Sequence, residues 1–255
     1  MKKSYSKVPV LLKQFKADMH IHSCLSPCSD WDMSPRKIVQ RSLTVGLDMI
    51  ALCDHNSAEN AGATIHEGKK QGLAVIPGLE ICSKEEVHIL ALFDELECAL
   101  DMQSYVYTNL PGENNPEVFG YQVVANEQDE VIGENSRLLI GATRLGLHDI
   151  VKKTHALGGL VLSSHVDRPG YGIINQLGFI PEDLTLDGVE VSYRVKLAEA
   201  SKAIPGIKNL PCVTSSDAHY LNDIGRTWTV FRMAGPTVDE IRRALCKSEG
   251  RRILV

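Results

Sequence analysis

The stretch ADMHIHS, residues 17–23, sets Asp18, His20 and His22 at alternating positions. Five further stretches carry side chains of the same chemistry: CDHN with Asp54 and His55, PGLEI with Glu80, VHILAL with His88, SSHVDR with His165, and SSDAH with Asp217 and His219. Six of the nine histidines fall in these stretches. Imidazoles and carboxylates crowded together repel one another or desolvate badly when charged. Divalent cations resolve the conflict, because neutral imidazoles and carboxylates then become ligands. A histidine-rich set with carboxylates and no obligatory thiolate suits Mn²⁺, Fe²⁺ or Zn²⁺ better than Ca²⁺ or a structural zinc. So many donors exceed the shell of one ion, and the set implies two or three ions sharing carboxylates.

The elements between these stretches explain how they could meet. FKADMHI, LDMIALC, LAVIPG, VHILALF, LVLSS, DGVEVS, LPCVTSS and TWTVFRM read as strands. Ser34, Pro35 and Gly46 supply start and stop signals for a helix over SPRKIVQRSLTVG, and Gly72 closes a second over SAENAGATIHEGKKQG. LHDIVKKTHALGG, LAEASKAI and TVDEIRRALCKS are further helices. Strands alternating with helices indicate βαβ units, a largely parallel sheet and an α/β barrel. No G-x-G-x-x-G opens a helix after a strand, as a dinucleotide fold requires. In a parallel barrel the C-terminal strand ends converge on one face. Alternation then sends His20 with His22, and Asp217 with His219, into one pocket.

Residues 94–145 interrupt the rhythm. YQVVA and EVIGE, joined by a polar stretch, resemble a β-hairpin. We read residues 94–145 as an insertion that caps the site, within one barrel domain spanning residues 1–255. His66, His148 and His155 lie on helices and read as surface or packing residues. Cys24 and Cys28 follow the H-x-H and read as free loop thiols.

Composition narrows the function. The chain has 255 residues, 44% of them hydrophobic and 23% charged, with a net charge of −5. That balance disfavours a long duplex partner, which a global basic field would attract. No apolar run approaches the roughly 18 residues of a membrane span, and the N-terminus lacks a signal-peptide core. The seven cysteines include no C-x-x-C pair and suggest free thiols in the cytoplasm.

Taken in order, DMHIHS, CDHN, GLEI, VHIL, SSH and SDAH resemble the polymerase and histidinol phosphatase (PHP) family of metal-dependent phosphoesterases. The resemblance spans residues 17 to about 220 and implies a distorted (β/α)7 barrel. It implies one ion near His20, His22, Glu80 and Asp217, and a second near Glu80, His88 and His165, with Glu80 bridging. A third ion falls to His55, His219 and a carboxylate of the loop HSCLSPCSDWDMSP, which is longer than usual. Asp30 and Asp32 are both available there, and Asp30 is favoured because SDW stands where the family has Ser-Asp-Gly.

The resemblance further implies attack on phosphorus by a metal-bridging hydroxide. Asp18 and Asp54 are placed to orient ligand imidazoles through their other nitrogen, or to protonate the leaving group. Arg168 and Arg194 follow strand ends and are candidate phosphate clamps. The expected substrate is a small phosphorylated metabolite or a short nucleotide. Two other classes compete: a non-catalytic metal-stabilised binding module, and an amidohydrolase-type enzyme. The latter usually needs a metal-bridging lysine at a strand end, whereas Lys84, Lys152 and Lys153 fall in loop or helix.

Overall fold

The computed structural model describes residues 11–204, 206–207 and 209–254. The expected reading of the extreme N-terminus, residues 1–10, lies outside them. The chain opens with β1 (Lys13–Ile21), α1 (Pro35–Thr44), β2 (Met49–His55), α2 (Ala61–Gln71) and β3 (Ala74–Cys82). Pro35 takes the first turn of α1, and Gly72 ends α2 in the left-handed region (φ 84°), where glycine pays no Cβ penalty.

A reversal follows. β4 (His88–Leu92) runs antiparallel to β3, contrary to the largely parallel sheet expected here. The turn between them, residues 83–87, is too short for a crossover, which needs a dozen or more residues. The chain continues through α3 (Leu96–Asn109), α4 (Pro116–Phe119), β5 (Val123–Ala125) and β6 (Val131–Glu134). The last two form a separate antiparallel ribbon, the hairpin expected from YQVVA and EVIGE.

The second half of the barrel comprises α5 (Leu147–Ala156), β7 (Leu160–Ser163), α6 (Ile173–Leu177), β8 (Gly188–Val191), α7 (Ala200–Ala203) and β9 (Cys212–Thr214). β10 (Thr229–Met233), α8 (Val238–Leu245) and β11 (Arg252–Leu254) complete the chain. Seven strands run in the order β1-β2-β3-β4-β7-β8-β9, with β10 and β11 added antiparallel beyond β1. A bridge between Ile21 and Ala218 draws the two ends together, so the sheet is nearly closed. Asp18 reinforces this seam by accepting the amides of Ser216 (2.8 Å) and Gly225 (3.0 Å).

The core lies in two layers. Met19, Met49, Cys53, Leu90, Leu162 and Phe231 fill the barrel interior with the apolar face of α8. Ile50, Leu52, Leu79, Ile81, Val189 and Val191 face the surrounding helices. No helix among the described residues is long and apolar enough to cross a membrane.

Candidate metal centre

A register shift between Asp18 and Ile21 in the β1–β2 ladder re-aims the first motif. Ala17 and Met19 belong to the barrel interior, whereas Ile21 belongs to the helix-facing layer. The switch turns His20 and His22 into the mouth of the barrel and leaves Asp18 on the seam, which is the usual effect of a bulge. Alternation places His55 beyond Cys53 on β2, and Glu80 between Leu79 and Ile81 on β3. His88 begins β4, and the reversed direction brings that start to the rim where the parallel strands end.

His165 and Asp217 sit just past β7 and β9 with left-handed backbones (φ 27° and 51°), a conformation that non-glycine residues adopt at a cost. Both side chains are thereby turned back over the cluster. His20 Nε2 lies 3.0 Å from His22 Nε2. Glu80 stands at the centre, 3.0 Å from His88 Nδ1, 3.1 Å from His165 Nε2 and 3.2 Å from His55 Nδ1. Asp217 Oδ1 lies 3.2 Å from His22 Nε2, while its other oxygen pairs with Arg168.

This arrangement is electrostatically unresolved. Burial opposes charge on His20, but Glu190, Glu80 and Asp217 outweigh it and hold the ring well above the ordinary imidazole value. Burial, with His219 and His55 adding repulsion, holds His22 well below it. Burial likewise brings His88 down to about 4. Burial would raise Glu80 and Asp217, yet the surrounding imidazoles keep both well below the usual carboxylate range. Nδ1 of His165 is buried without a partner, while Nδ1 of His88 and Oδ1 of Asp217, though 3.0 Å from Glu80 and 3.2 Å from His22 respectively, are not aligned for a hydrogen bond.

Such orphaned donors normally find a partner. Divalent cations supply one, and the donor chemistry fits them. Three triads each bring ligand atoms within 4.8 Å of one another: His20–His22–Asp217, His22–His55–His219 and His55–Glu80–His88. The triads share His22 and His55, so the groups form one cluster and not three isolated sites.

The flanking residues differ from expectation. Asp18 and Asp54 are sealed from solvent, and neither lines the cavities at the cluster. Asp18 serves the seam, and the bulge is what separates it from the imidazole face. Asp54 faces away from His55 and accepts bonds from Ser23 Oγ (2.6 Å) and Ser26 Oγ (2.7 Å). Ser26 Oγ in turn lies 3.0 Å from His22 Nδ1, so Asp54 acts on that ring through a hydroxyl.

Asp30 Oδ1 accepts the amide of Asp32 at 2.8 Å, and Asp32 pairs with Lys37 at the surface. Neither aspartate, nor Cys28, joins the 4.8 Å donor groups found among the described residues. The loop instead brings Cys28 against His55 and His219. Burial would raise its thiol, but those two imidazoles outweigh burial and bring it down to about 6. His148 and His155 pair with Asp183 and Asp187, away from the cluster, and His66 is exposed on α2.

Glu190 was not singled out from the sequence. It is fully buried on β8, with Oε1 3.1 Å from His20 Nδ1, and it accepts the amide of His165 at 3.2 Å. A glutamate between two valines in GVEV is the signal by which the sequence could have revealed it. Two adjoining cavities open from the cluster and share Cys28, Arg168, Asp217 and His219. The inner one, about 190 Å³, reaches Glu80, His88 and His165. The outer one, about 320 Å³, is walled by Tyr193, Arg194, Tyr220 and Arg226. Arg226 also escaped the sequence reading; it donates to the Ser216 carbonyl and lies 3.8 Å from the Tyr193 ring centre.

A nearly closed α/β barrel whose rim gathers imidazoles and carboxylates around Glu80 defines a candidate metal centre. A family profile for the PHP domain matches residues 18–175, and one described as PHP-associated matches residues 206–249. The chain therefore belongs to the PHP family.

A 5'-3' exoribonuclease of Haemophilus influenzae is 34% identical over 84 residues, which cover 31% of this chain and 30% of that protein. Among solved structures, the lesion-specific endonuclease PfuEndoQ of Pyrococcus furiosus superimposes with a TM-score of 0.71 at 20% identity, over 95% of this chain and 58% of that one. A candidate metal-dependent phosphoesterase of Bifidobacterium adolescentis gives 0.58 at 18% identity, over 91% and 96%. The chain thus spans less than two thirds of both nucleases. At such identities the structural likenesses establish the fold.

Proposed function

We propose that the chain hydrolyses a phosphate ester of a short nucleotide or a small phosphorylated metabolite at a di- or trinuclear centre. The carrying observation is the convergence of six histidines, Glu80 and Asp217 beside a cleft of arginines and tyrosines. His20, His22, Glu80 and Asp217 would hold one ion, Glu80, His88 and His165 a second, and His55 with His219 a third. Mn²⁺, Fe²⁺ and Zn²⁺ suit these donors. When bound, such ions lower the pKa of water towards neutrality and screen charge on a phosphoryl group.

The remaining steps belong to the chain. Glu190 and Ser26 fix the orientation of His20 and His22 through their second ring nitrogens. Arg168, at the junction of the two cavities, is placed to grip a phosphoryl oxygen, and Arg194 and Arg226 line the outer cavity where a second anionic or planar group would rest. Tyr193 and Tyr220 add ring faces suited to a base. The outer cavity's volume favours a compact substrate over duplex, although an endonuclease Q was solved with a 27-mer duplex carrying an abasic lesion.

The segment 94–145 supports the reading of one domain with an inserted cap. Val123 donates its amide to the Cys24 carbonyl at 3.0 Å, and Asn60 Nδ2 donates to the Val123 carbonyl at 3.1 Å. The hairpin is thereby docked on the loop behind the first motif. We place the protein in the cytoplasm, a reading supported by its seven free cysteines.

The test is phosphate or nucleotide release on adding Mn²⁺ to chelator-free protein. Nucleoside monophosphates, 3',5'-bisphosphates, histidinol phosphate and a short oligonucleotide form the panel. Release from any of them that disappears in Glu80→Gln supports the proposal. No release from all four, with two or more ions bound per chain, would favour a non-catalytic metal-stabilised module.

A further inference from the structure

The loop between the first motif and α1 is held in one place from three directions. Cys24 donates its amide to Met33 (2.7 Å), and Asp30 donates its amide to the carbonyl of His219 (2.9 Å). On the third side Gly120, at φ 98°, packs so closely that a Cβ there would lie 2.5 Å from the Pro27 carbonyl oxygen. Only glycine permits that approach without displacing the loop. The residue this clamping delivers to the cluster is Cys28, which lies in the wall of both cavities together with His219.

The two carboxylates of the same loop are committed elsewhere. Asp30 caps the amide of Asp32, and Asp32 pairs with Lys37 outside the cavities. The His22–His55–His219 triad therefore has no carboxylate of the loop beside it, but it does have a sulfur. His88 and His165 line the inner cavity together with Cys28, and the buried Nδ1 of His165 has no hydrogen-bond partner.

We propose that Cys28 is the loop ligand of the outer metal site, its thiolate joining His55 and His219 where an aspartate of this loop was expected. This rests on the metal-centre reading above and adds to it a sulfur donor. Coordination deprotonates a thiol outright, so the bond formed is metal–sulfur and the proton leaves to solvent. One soft donor among hard ones biases the site towards Zn²⁺ or Fe²⁺ and away from Mn²⁺.

The experiment loads the purified full chain with Co²⁺ after chelation and reads its absorption without substrate. Wild type, Asp30→Asn and Cys246→Ser, the last at an exposed free cysteine, should all show an intense near-ultraviolet sulfur-to-cobalt band. Cys28→Ser should lose the band and bind its weakest cobalt at least about tenfold less tightly. Cys28→Asp should also lack the band yet hold as many cobalt ions as wild type, which guards against simple misfolding of the serine variant. A band that survives in Cys28→Ser, or that is absent from fully loaded wild type, overturns the assignment. Because the band is read without turnover, a chain that shows it and hydrolyses nothing upholds the ligand and defeats only the proposed activity.

Discussion

Two clusters of buried charge lie at opposite ends of this barrel. At the lower end Arg251 grips Glu240 with two bonds of 2.7 and 2.8 Å, and Glu240 also accepts the amide of Ala234 at 2.7 Å. Arg251 further donates to Glu249. Each charge there has its counter-charge and its hydrogen bonds, so the cluster is complete within the chain. At the rim six imidazoles face Glu80 and Asp217, and ring nitrogens face each other at 3.0 Å. That cluster leaves buried nitrogen and oxygen atoms unanswered. The difference separates a structural ion pair from a centre that needs added cations to balance.

The largest expected effect comes from breaking the rim at its middle. Glu80→Gln keeps the shape but removes the shared anion, and phosphate release should fall about a thousandfold or below detection. A Glu80→Gln enzyme within tenfold of wild type would show that the centre does not depend on the shared carboxylate. Chelation comes next. Ions bound a thousand times above their Kd contribute about 4 kcal/mol, so stripping them should lower the melting temperature by roughly 10 °C in scanning calorimetry. An unchanged melting temperature would make the rim as self-sufficient as the lower cluster.

Glu190→Gln should cost about 10–100-fold in metal affinity or activity, since it loosens His20 without removing a ligand. Titration of Zn²⁺ against a fluorescent competitor measures it. The smallest effect sharpens the contrast from the other side. Bonding to Arg251 holds Glu240 below the usual carboxylate range, so its contribution is present above about pH 4.5 and fades as pH falls through its folded value. Glu240→Gln should therefore cost about 2 kcal/mol in urea unfolding at pH 7 and progressively less at acid pH, with activity per folded molecule unchanged. A penalty independent of pH would assign the pair's worth to packing.

What the chain's sequence determined by itself was the spacing of donors and the strands that carry them. His20, His22, His55, Glu80, His165, Asp217 and His219 were legible because period-two apolar runs end just before or within their motifs. The separation of His148 and His155 from the cluster was legible too, from their place on a helix. Tertiary structure alone decided the rest. The reversed direction of β4 follows from a short turn and carries His88 to the rim from the opposite chain direction. The bulge in β1 moved Asp18 to the seam, because one displaced residue exchanges the faces of a strand. Glu190 joined His20 across 170 residues of chain, and Cys28 took the position beside His55 because Asp30 and His219 are tied through their backbones. Local periodicity fixes which way a side chain points, but which side chains then meet depends on closure of the barrel.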